Sequence, residues 1–324
     1  MTTEDLRRPA LVERSRTVVD GTAGSRLMFI FRAAGCTYAR RPDGGCSNCG
    51  FHPLSTGGVS VAAQDLITQF DSVFSTPGAF TDLVEVDLFN SGSFFAEAEM
   101  PATVRDHVLA ALGSSSVRRV LVESRPEFVH AERIQAACDR VPGQRLEVGI
   151  GLESADDHVR EVLVNKGFGR EDFERAATVL AQHGARLLVY LLIKPLGLDE
   201  DQAIADAVAS SRYVFELATR LRVPAHVALQ PVFVAPGTAI EKAWRAGHYQ
   251  PPSLWSVIEV LRQVHPLGEV TVGTSDEGLD PRMAPRGCEG CTPSLQQALQ
   301  AYNSTRNPES LRVVDCPECQ MRGR

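Results

Sequence analysis

The chain has 324 residues, of which 44% are hydrophobic and 23% are charged, and it carries a formal net charge of −7. This composition is that of a folded globular protein with a sizeable core, and it excludes an intrinsically disordered chain. The acidic balance argues against a large nucleic-acid ligand, because a surface that grips phosphates is usually basic.

The first segment, residues 1–25, is predicted to be an N-terminal extension to the main domain. It begins with polar and charged residues and lacks the apolar stretch of a secretory signal, so we expect a cytoplasmic location. The sequence holds no run of about 18 apolar residues, and we therefore expect no membrane span.

Strand-like and helix-like segments alternate through the middle of the chain. The predicted strands cover residues 26–32, 83–89, 119–122, 146–152, 187–193, 226–234 and 269–273. The predicted helices cover residues 61–74, 102–111, 130–140, 171–182, 201–220 and 254–264, where apolar positions recur at three- and four-residue spacing. This alternation predicts an α/β fold with a parallel sheet, in the form of a partial or full (β/α) barrel.

The predicted barrel runs over residues 26–277, and a small cysteine-rich module follows over residues 278–324. Proline and glycine between residues 281 and 287 mark the change. Ligands of parallel α/β folds bind at the carboxyl ends of the strands. The residues that directly follow each predicted strand are therefore the candidates for a functional site.

Seven of the eight cysteines fall into clusters, and Cys138 stands alone in a predicted helix, where we interpret it as a core thiol. Clustered cysteines in a cytoplasmic protein are more often metal ligands than disulfides. Cys36, Cys46 and Cys49 follow the first predicted strand with the spacing C-x9-C-x2-C. This position places them on the expected active face.

Three thiolates can hold three irons of a 4Fe–4S cubane and leave the fourth iron open. In this interpretation the amino and carboxylate groups of S-adenosylmethionine chelate the open iron at Cys36, Cys46 and Cys49. One electron from the cluster then cleaves the sulfonium and releases a 5′-deoxyadenosyl radical. The alternative is a zinc knuckle completed by His52, in a protein that is not an enzyme.

Polar groups follow or end the next strands as well. They are Ser91, Gly92 and Ser93 after the second strand, Glu123 and Arg125 after the third, Glu153 after the fourth, Tyr190 and Lys194 at the fifth, and Gln230 at the sixth. Together they favour a ligand site at one mouth. Two structural alternatives stay open, namely that Lys194 only pairs with Glu153 and that Lys166 is only a surface charge.

Six further motifs carry a resemblance to a known family. They are SGSF at residues 91–94, ESRPE at 123–127, GLES at 151–154, NKGF at 165–168, LLIKP at 191–195 and YQPPSLWS at 249–256. This ordered set resembles the radical S-adenosylmethionine subunit of archaeosine synthase, and the cysteine spacing resembles the catalytic subunit of elongator. The resemblance covers residues 29–319.

The resemblance implies a radical S-adenosylmethionine barrel with a 4Fe–4S cluster. It implies that Ser91, Gly92 and Ser93 contact the methionine amino group of S-adenosylmethionine. Glu123, Arg125 and Glu153 are then partners for the ribose hydroxyls and the methionine carboxylate. A reducing partner such as flavodoxin or ferredoxin is expected to supply the electron.

The C-terminal module contains Cys288 and Cys291, then Cys316 and Cys319, as two C-x2-C pairs. Two such pairs are typical of a four-thiolate metal site. A structural zinc and an auxiliary 4Fe–4S cluster both fit this spacing.

The expected activity is modification of a nucleoside or a nucleoside-like small molecule, with sulfur insertion from an auxiliary cluster as one form of it. Lys194, Tyr190 and Gln230 are the candidates for substrate contact or proton transfer. The alternative keeps the substrate of the archaeosine relatives, a base within tRNA, which the charge of −7 disfavours.

Overall fold

The computed structural model describes residues 3–50, 55–142, 144–274, 279–313 and 316–321. Within these ranges, eight strands form one sheet whose spatial order follows the chain. The strands are β1 (Leu11–Val19), β2 (Thr22–Ile30), β3 (Leu83–Phe89), β4 (Arg119–Glu123), β5 (Leu146–Glu153), β6 (Arg186–Ile193), β7 (Ala225–Pro231) and β8 (Glu269–Val272). β1 and β2 are antiparallel, whereas all later neighbours are parallel. The sheet curls into a half-barrel.

Helices follow most of the parallel strands and pack against the sheet. They are α1 (Thr3–Leu6), α2 (Ala63–Phe74), α3 (Ala102–Gly113), α4 (Ala131–Arg140), α5 (Arg170–Gln182), α6 (Glu200–Leu221), α7 (Ala239–Arg245), α8 (Leu254–Val264), α9 (Thr292–Thr305) and α10 (Pro317–Met321). A short π-helix spans His158–Leu163. No helix in the described ranges is both long and apolar enough to cross a membrane.

β5 shows why this sequence forms a two-faced strand. Leu146, Val148, Ile150 and Leu152 are fully buried and belong to the main hydrophobic core. Successive side chains of a strand point to opposite faces, so the intervening residues, two glutamates and two glycines, face the interior of the half-barrel. The outer face therefore holds the core, and the inner face is free to carry polar groups.

The predicted α/β partial barrel is confirmed. β1 was not predicted, because the first six of its nine residues are exposed and its centre is polar. The predicted boundary at residue 26 falls inside β2, and the boundary at residue 278 lies outside the described residues. The division into three domains stays a prediction.

Charged side chains fill the end of the half-barrel where the parallel strands begin. Arg119 is 1% exposed and donates to both carboxylate oxygens of Glu269, at 2.8 and 3.0 Å. Glu147 is fully buried and lies 3.5 Å from Arg186 and 3.7 Å from His226. These residues form the floor of the half-barrel, so a ligand site belongs at the opposite, carboxyl end.

The C-terminal helix α9 covers the seam between the two edges of the sheet. It contacts both β1 and β8. The amide oxygen of Asn303 accepts from the backbone N–H of Val272 at 3.1 Å, and its nitrogen donates to the Val272 carbonyl at 2.6 Å. One side chain thus replaces a neighbouring strand at this point of the β8 edge.

Candidate functional site

The cysteine loop, residues 33–50, follows β2 and carries Cys36, Cys46 and Cys49, all partly buried. Among the residues that the structure describes, only the four C-terminal cysteines bring their ligand atoms within 4.8 Å of one another. The three cysteines of the cysteine loop do not form such a close group. In a cubane each thiolate binds a different iron, which suits wider spacing. His52, the fourth ligand of the zinc alternative, lies outside the described residues.

The NKGF segment clamps the long gap between the first two cysteines. The Tyr38 hydroxyl donates to the Asn165 carbonyl at 2.9 Å, and the Asn165 side chain donates to the Gly45 carbonyl at 2.9 Å. The backbone of Ser47 donates to the Val164 carbonyl at 2.9 Å. These contacts give the NKGF motif a physical role, since they fix the loop that holds Cys46.

Arg125 supports the same loop from the end of β4. Its guanidinium lies 4.1 Å from the centre of the Tyr38 ring and 5.3 Å from that of Phe168. It also donates to Glu127 at 2.6 Å and to the Lys166 carbonyl at 2.9 Å. These partners hold the Arg125 side chain in place beside the cysteine loop. That Arg125 contacts S-adenosylmethionine stays a prediction.

The turn after β3 packs directly against the cysteine loop. Ser91 has a φ of +54°, in the left-handed region that few non-glycine residues adopt. A Cβ at Gly92 would overlap the carboxylate of Glu99 and would lie 3.1 Å from the backbone nitrogen of Cys36. Glycine is therefore required at this position by the closeness of the two segments.

Glu99 joins the turn to the cysteine loop, and the sequence motifs did not identify it. The residue is 2% exposed. One carboxylate oxygen accepts from the backbone N–H and the hydroxyl of Thr37, at 2.7 and 2.6 Å, and the other accepts from the backbone N–H of Ser93. A lone acid beyond a strand-end turn gives no sequence signal that distinguishes it from a surface charge.

Glu123 and Tyr190 meet inside the half-barrel, below the mouth. The Tyr190 hydroxyl donates to the Glu123 carboxylate. Burial raises the pKa of Glu123 to about 7, although Tyr190 and the nearby Lys166 charge oppose this rise. A Cβ at Gly149 would lie 3.0 Å from the Tyr190 ring, so glycine leaves room for the pair. Gln230 occupies the same inner face at the end of β7, next to Gly273.

The two lysines of the mouth, Lys166 and Lys194, each form an ion pair that the sequence analysis did not predict. Lys166 is not a surface charge, since its side chain is only 12% exposed and its ammonium lies 2.6 Å from Glu153. Lys194 pairs with Glu200 at 2.7 Å, so the predicted pairing with Glu153 is wrong. The Tyr249 hydroxyl donates to the Lys194 carbonyl at 2.8 Å, which explains part of the YQPPSLWS motif.

The four C-terminal cysteines form a compact group. Three pairs of sulfurs, Cys288 with Cys291, Cys288 with Cys316, and Cys291 with Cys319, are each 3.5 Å apart. The indole of Trp255, on α8, lies beside the sulfur of Cys291. The group is therefore tied to the helical layer of the half-barrel.

Comparison with known proteins identifies the family. The chain is 32% identical over 316 residues to archaeosine synthase subunit beta of Methanosarcina acetivorans, a match that covers 96% of this chain and 88% of that protein. The chain belongs to the archaeosine synthase subunit beta family. A second member, from Thermococcus kodakarensis, is 31% identical over 252 residues, which cover 75% of this chain and 73% of that protein. No family model matches the chain.

A solved structure supports the fold of this archaeosine synthase subunit beta relative. The archaeal Elp3 of Methanocaldococcus infernus superposes with a TM-score of 0.51 at 14% identity, covering 75% of this chain and 59% of that chain. At this identity the likeness concerns the fold alone. The family resemblance expected from the motifs is thereby confirmed.

The residues at the mouth of this family member fit an iron–sulfur cluster with a bound organic ligand. Three thiols on one loop supply the sulfur ligands. Beside them, both amide atoms of Asn90 and the hydroxyl of Ser91 are buried and find no hydrogen-bond partner among the described residues. A buried polar atom without a hydrogen-bond partner lowers the stability of the folded protein, so these groups are suited to hydrogen-bond a polar ligand.

Proposed function

We propose that this protein is a radical S-adenosylmethionine enzyme whose 4Fe–4S cluster is held by Cys36, Cys46 and Cys49. The observation that carries the proposal is that one loop holds three free, partly buried cysteines beside the buried polar atoms of Asn90 and Ser91, which have no hydrogen-bond partner among the described residues. When bound, the cluster would supply one electron for reductive cleavage of S-adenosylmethionine to a 5′-deoxyadenosyl radical.

The protein's side chains are proposed to bind S-adenosylmethionine and to hold a proton near the substrate. Ser91 and Ser93 lie beside the first cysteine and are the proposed contacts of the methionine amino group. Glu153, at the end of β5, is the proposed contact of the ribose hydroxyls. Glu123, with a pKa of about 7, can hold or release a proton at its carboxyl near neutral pH, and Tyr190 orients that carboxyl.

The proposed substrate is a nucleoside or a nucleoside-like small molecule. The net charge of −7 supports a free substrate over a large polyanion. A second candidate is a base within tRNA, which the similarity to archaeosine synthase subunit beta over 96% of the chain favours. Gln230 and Lys194, at the ends of β7 and β6, are the proposed substrate contacts in either case.

The C-terminal group is proposed to bind zinc. Tetrahedral coordination with zinc–sulfur bonds of about 2.3 Å places the sulfurs roughly 3.8 Å apart. The observed separations of 3.5 Å fit this geometry. An auxiliary cubane needs sulfurs that are farther apart, so sulfur insertion from such a cluster is not part of the proposal.

The activity is tested by anaerobic incubation of reconstituted protein with S-adenosylmethionine and a reductant, dithionite or reduced flavodoxin. We expect formation of 5′-deoxyadenosine, measured by chromatography. Cys46→Ala is expected to abolish it, and Cys138→Ala, which alters a cysteine outside both groups, is expected to retain it. Equal product from wild type and Cys46→Ala would refute the cluster assignment.

The metal content separates the two C-terminal interpretations. We expect about four irons and one zinc per chain in anaerobically prepared protein. Cys316→Ala is expected to lower the zinc content and to leave the iron content unchanged. Eight irons without zinc would instead identify an auxiliary cluster.

Gel-shift titration with unmodified tRNA separates the two substrate classes. A free substrate predicts no shift at micromolar protein in physiological salt. Salt-sensitive binding in the nanomolar range would favour the tRNA candidate over the free nucleoside.

A further inference from the structure

Lys166, which pairs with Glu153 next to the cysteine loop, is not among the proposed contacts of S-adenosylmethionine or substrate. Both side chains are 12% exposed, and the ammonium lies 2.6 Å from the carboxylate. A Cβ at Gly151 would lie 2.6 Å from the Lys166 nitrogen, so glycine leaves space for this side chain inside the mouth. The pair is therefore built into the half-barrel.

The backbone around Lys166 is joined to the backbone around Cys46 on both sides. Ser47 donates to the Val164 carbonyl at 2.9 Å, and the Asn165 side chain donates to the Gly45 carbonyl at 2.9 Å. These two contacts flank Cys46 and precede Lys166 directly. They hold the backbone that carries Lys166 against the backbone that carries Cys46.

The charges around Cys46 are unequal. Burial raises the pKa of the Cys46 thiol, while the positive charges of Lys166 and Arg125 oppose the rise and the negative charge of Glu153 adds to it. Cys36, itself a proposed cluster ligand, adds to the rise too, so the charged groups other than the proposed ligands are two positive groups and one negative group. Because all three are shielded from water, their effect on Cys46 is weakly screened.

We propose that Lys166 raises the reduction potential of the cluster at Cys36, Cys46 and Cys49, and that Glu153 partly cancels this effect. The inference rests on the proposed function, because it requires that cluster. Reduction adds one negative charge to a centre that three thiolates already make electron-rich. A mostly buried ammonium on the segment that is hydrogen-bonded on both sides of Cys46 favours the reduced form, because local charge is a determinant of such potentials.

The experiment is a redox titration of anaerobically reconstituted protein, followed by the electron paramagnetic resonance signal of the reduced cluster in the absence of S-adenosylmethionine. Lys166→Met is expected to lower the ratio of reduced to oxidised cluster about tenfold at a fixed potential, which is about 59 mV for one electron. Glu153→Gln is expected to raise that ratio. Lys166→Arg, which keeps the charge, is expected to stay near wild type.

Lys194→Met is the matched control. Lys194 is also 12% exposed and also pairs with a glutamate, at 2.7 Å, but it follows β6 and lies outside the segment that is hydrogen-bonded around Cys46. Its removal is expected to leave the potential unchanged. Opposite shifts for Lys166→Met and Glu153→Gln support the proposal, because a merely structural ion pair would move both variants in one direction.

Two outcomes contradict different statements. Wild-type protein without four irons, or without a resonance signal after reduction, refutes the cluster and hence the proposed function. A normal cluster whose potential is the same in wild type, Lys166→Met and Glu153→Gln refutes only the role of Lys166. Equal shifts in Lys166→Met and Lys194→Met also refute it.

Discussion

Three acidic side chains surround the mouth of the half-barrel, and each has different partners. Glu99 accepts from Thr37 and Ser93, Glu123 accepts from Tyr190, and Glu153 pairs with Lys166. Only Glu99 receives its hydrogen bonds from two separate loops. Its loss would therefore affect the relative position of the turn after β3 and the cysteine loop.

We expect Glu99→Gln to weaken S-adenosylmethionine binding about tenfold, equivalent to one lost charge-assisted hydrogen bond. The amide nitrogen of glutamine would face an N–H or O–H donor, so one contact is replaced by a donor–donor clash. The dissociation constant is measured by titration of the reconstituted protein, and the iron content is measured in parallel.

Glu97→Gln is the control for this change. Glu97 lies two residues away, is 61% exposed and pairs with Arg105. It is expected to bind S-adenosylmethionine as wild type does. Similar affinities for all three proteins would show that Glu99 does not couple the two loops.

The raised pKa of Glu123 predicts a pH dependence of stability. Burial keeps the carboxyl protonated up to a pKa of about 7, above the ordinary value of 4.5, so the folded state binds more protons than the unfolded state between these values. Stability falls as the pH rises through this window. Glu123→Gln removes the ionisable group, so its free energy of unfolding should gain on wild type by the order of 2 kcal/mol from pH 5 to pH 8. Its thermal midpoint, measured at both pH values, should rise relative to wild type accordingly.

Asp87, on β3, is another buried carboxyl whose pKa is raised by burial. It remains in both proteins, so its contribution cancels and the comparison isolates Glu123. A difference in thermal midpoint that is constant from pH 5 to pH 8 would show that Glu123 ionises normally.

The sequence identified single residues where the type of residue carries the chemistry. Cysteines and strand-end polar groups were found in this way. Partnerships were not, since Lys194 pairs with Glu200 rather than Glu153, and Glu99 has no motif at all. Pairing depends on backbone positions that are distant in the chain, and these follow only from the folded structure.

At the scale of elements, α9 has a role that its sequence does not indicate. Its residue Asn303 satisfies both backbone groups of Val272 at the edge of β8. The helix begins directly after Cys291, in the group proposed to bind zinc. The helix therefore connects the four-cysteine group to the seam of the sheet.

We expect Asn303→Leu to destabilise the protein by about 2 kcal/mol, because it leaves buried backbone groups of β8 without partners. The rate of amide hydrogen exchange, measured by mass spectrometry, should rise in residues 269–272. It should stay unchanged in β5, at the centre of the sheet. Gln300→Leu, at an exposed position of the same helix, is the control. Equal exchange in all three proteins would show that α9 does not protect the edge.

Most strands and helices followed from hydrophobic periodicity, because buried parallel strands and amphipathic helices carry strong patterns. β1 did not, since it is an edge strand with an exposed, polar centre. α7 has only seven residues, which is too short for a periodic signal.

At the scale of the whole molecule, the charged floor distinguishes the two ends of the half-barrel. Arg119 links Glu269 on β8 to the neighbourhood of Glu147 on β5, across the interior. Arg119→Met is expected to lower stability by about 3–5 kcal/mol, because it leaves buried carboxylates uncompensated. Chemical denaturation measures this loss, with Arg118→Met, which alters the neighbouring exposed arginine, as the control.

The floor also has a kinetic consequence. Because Arg119, Glu147 and His226 are buried across one end, we expect ligands to reach the interior from the other end. If two ligands bind through the same opening, the ligand that binds deeper must bind first and dissociate last. An ordered steady-state mechanism, with one substrate obligatorily leading, is the expected form of turnover.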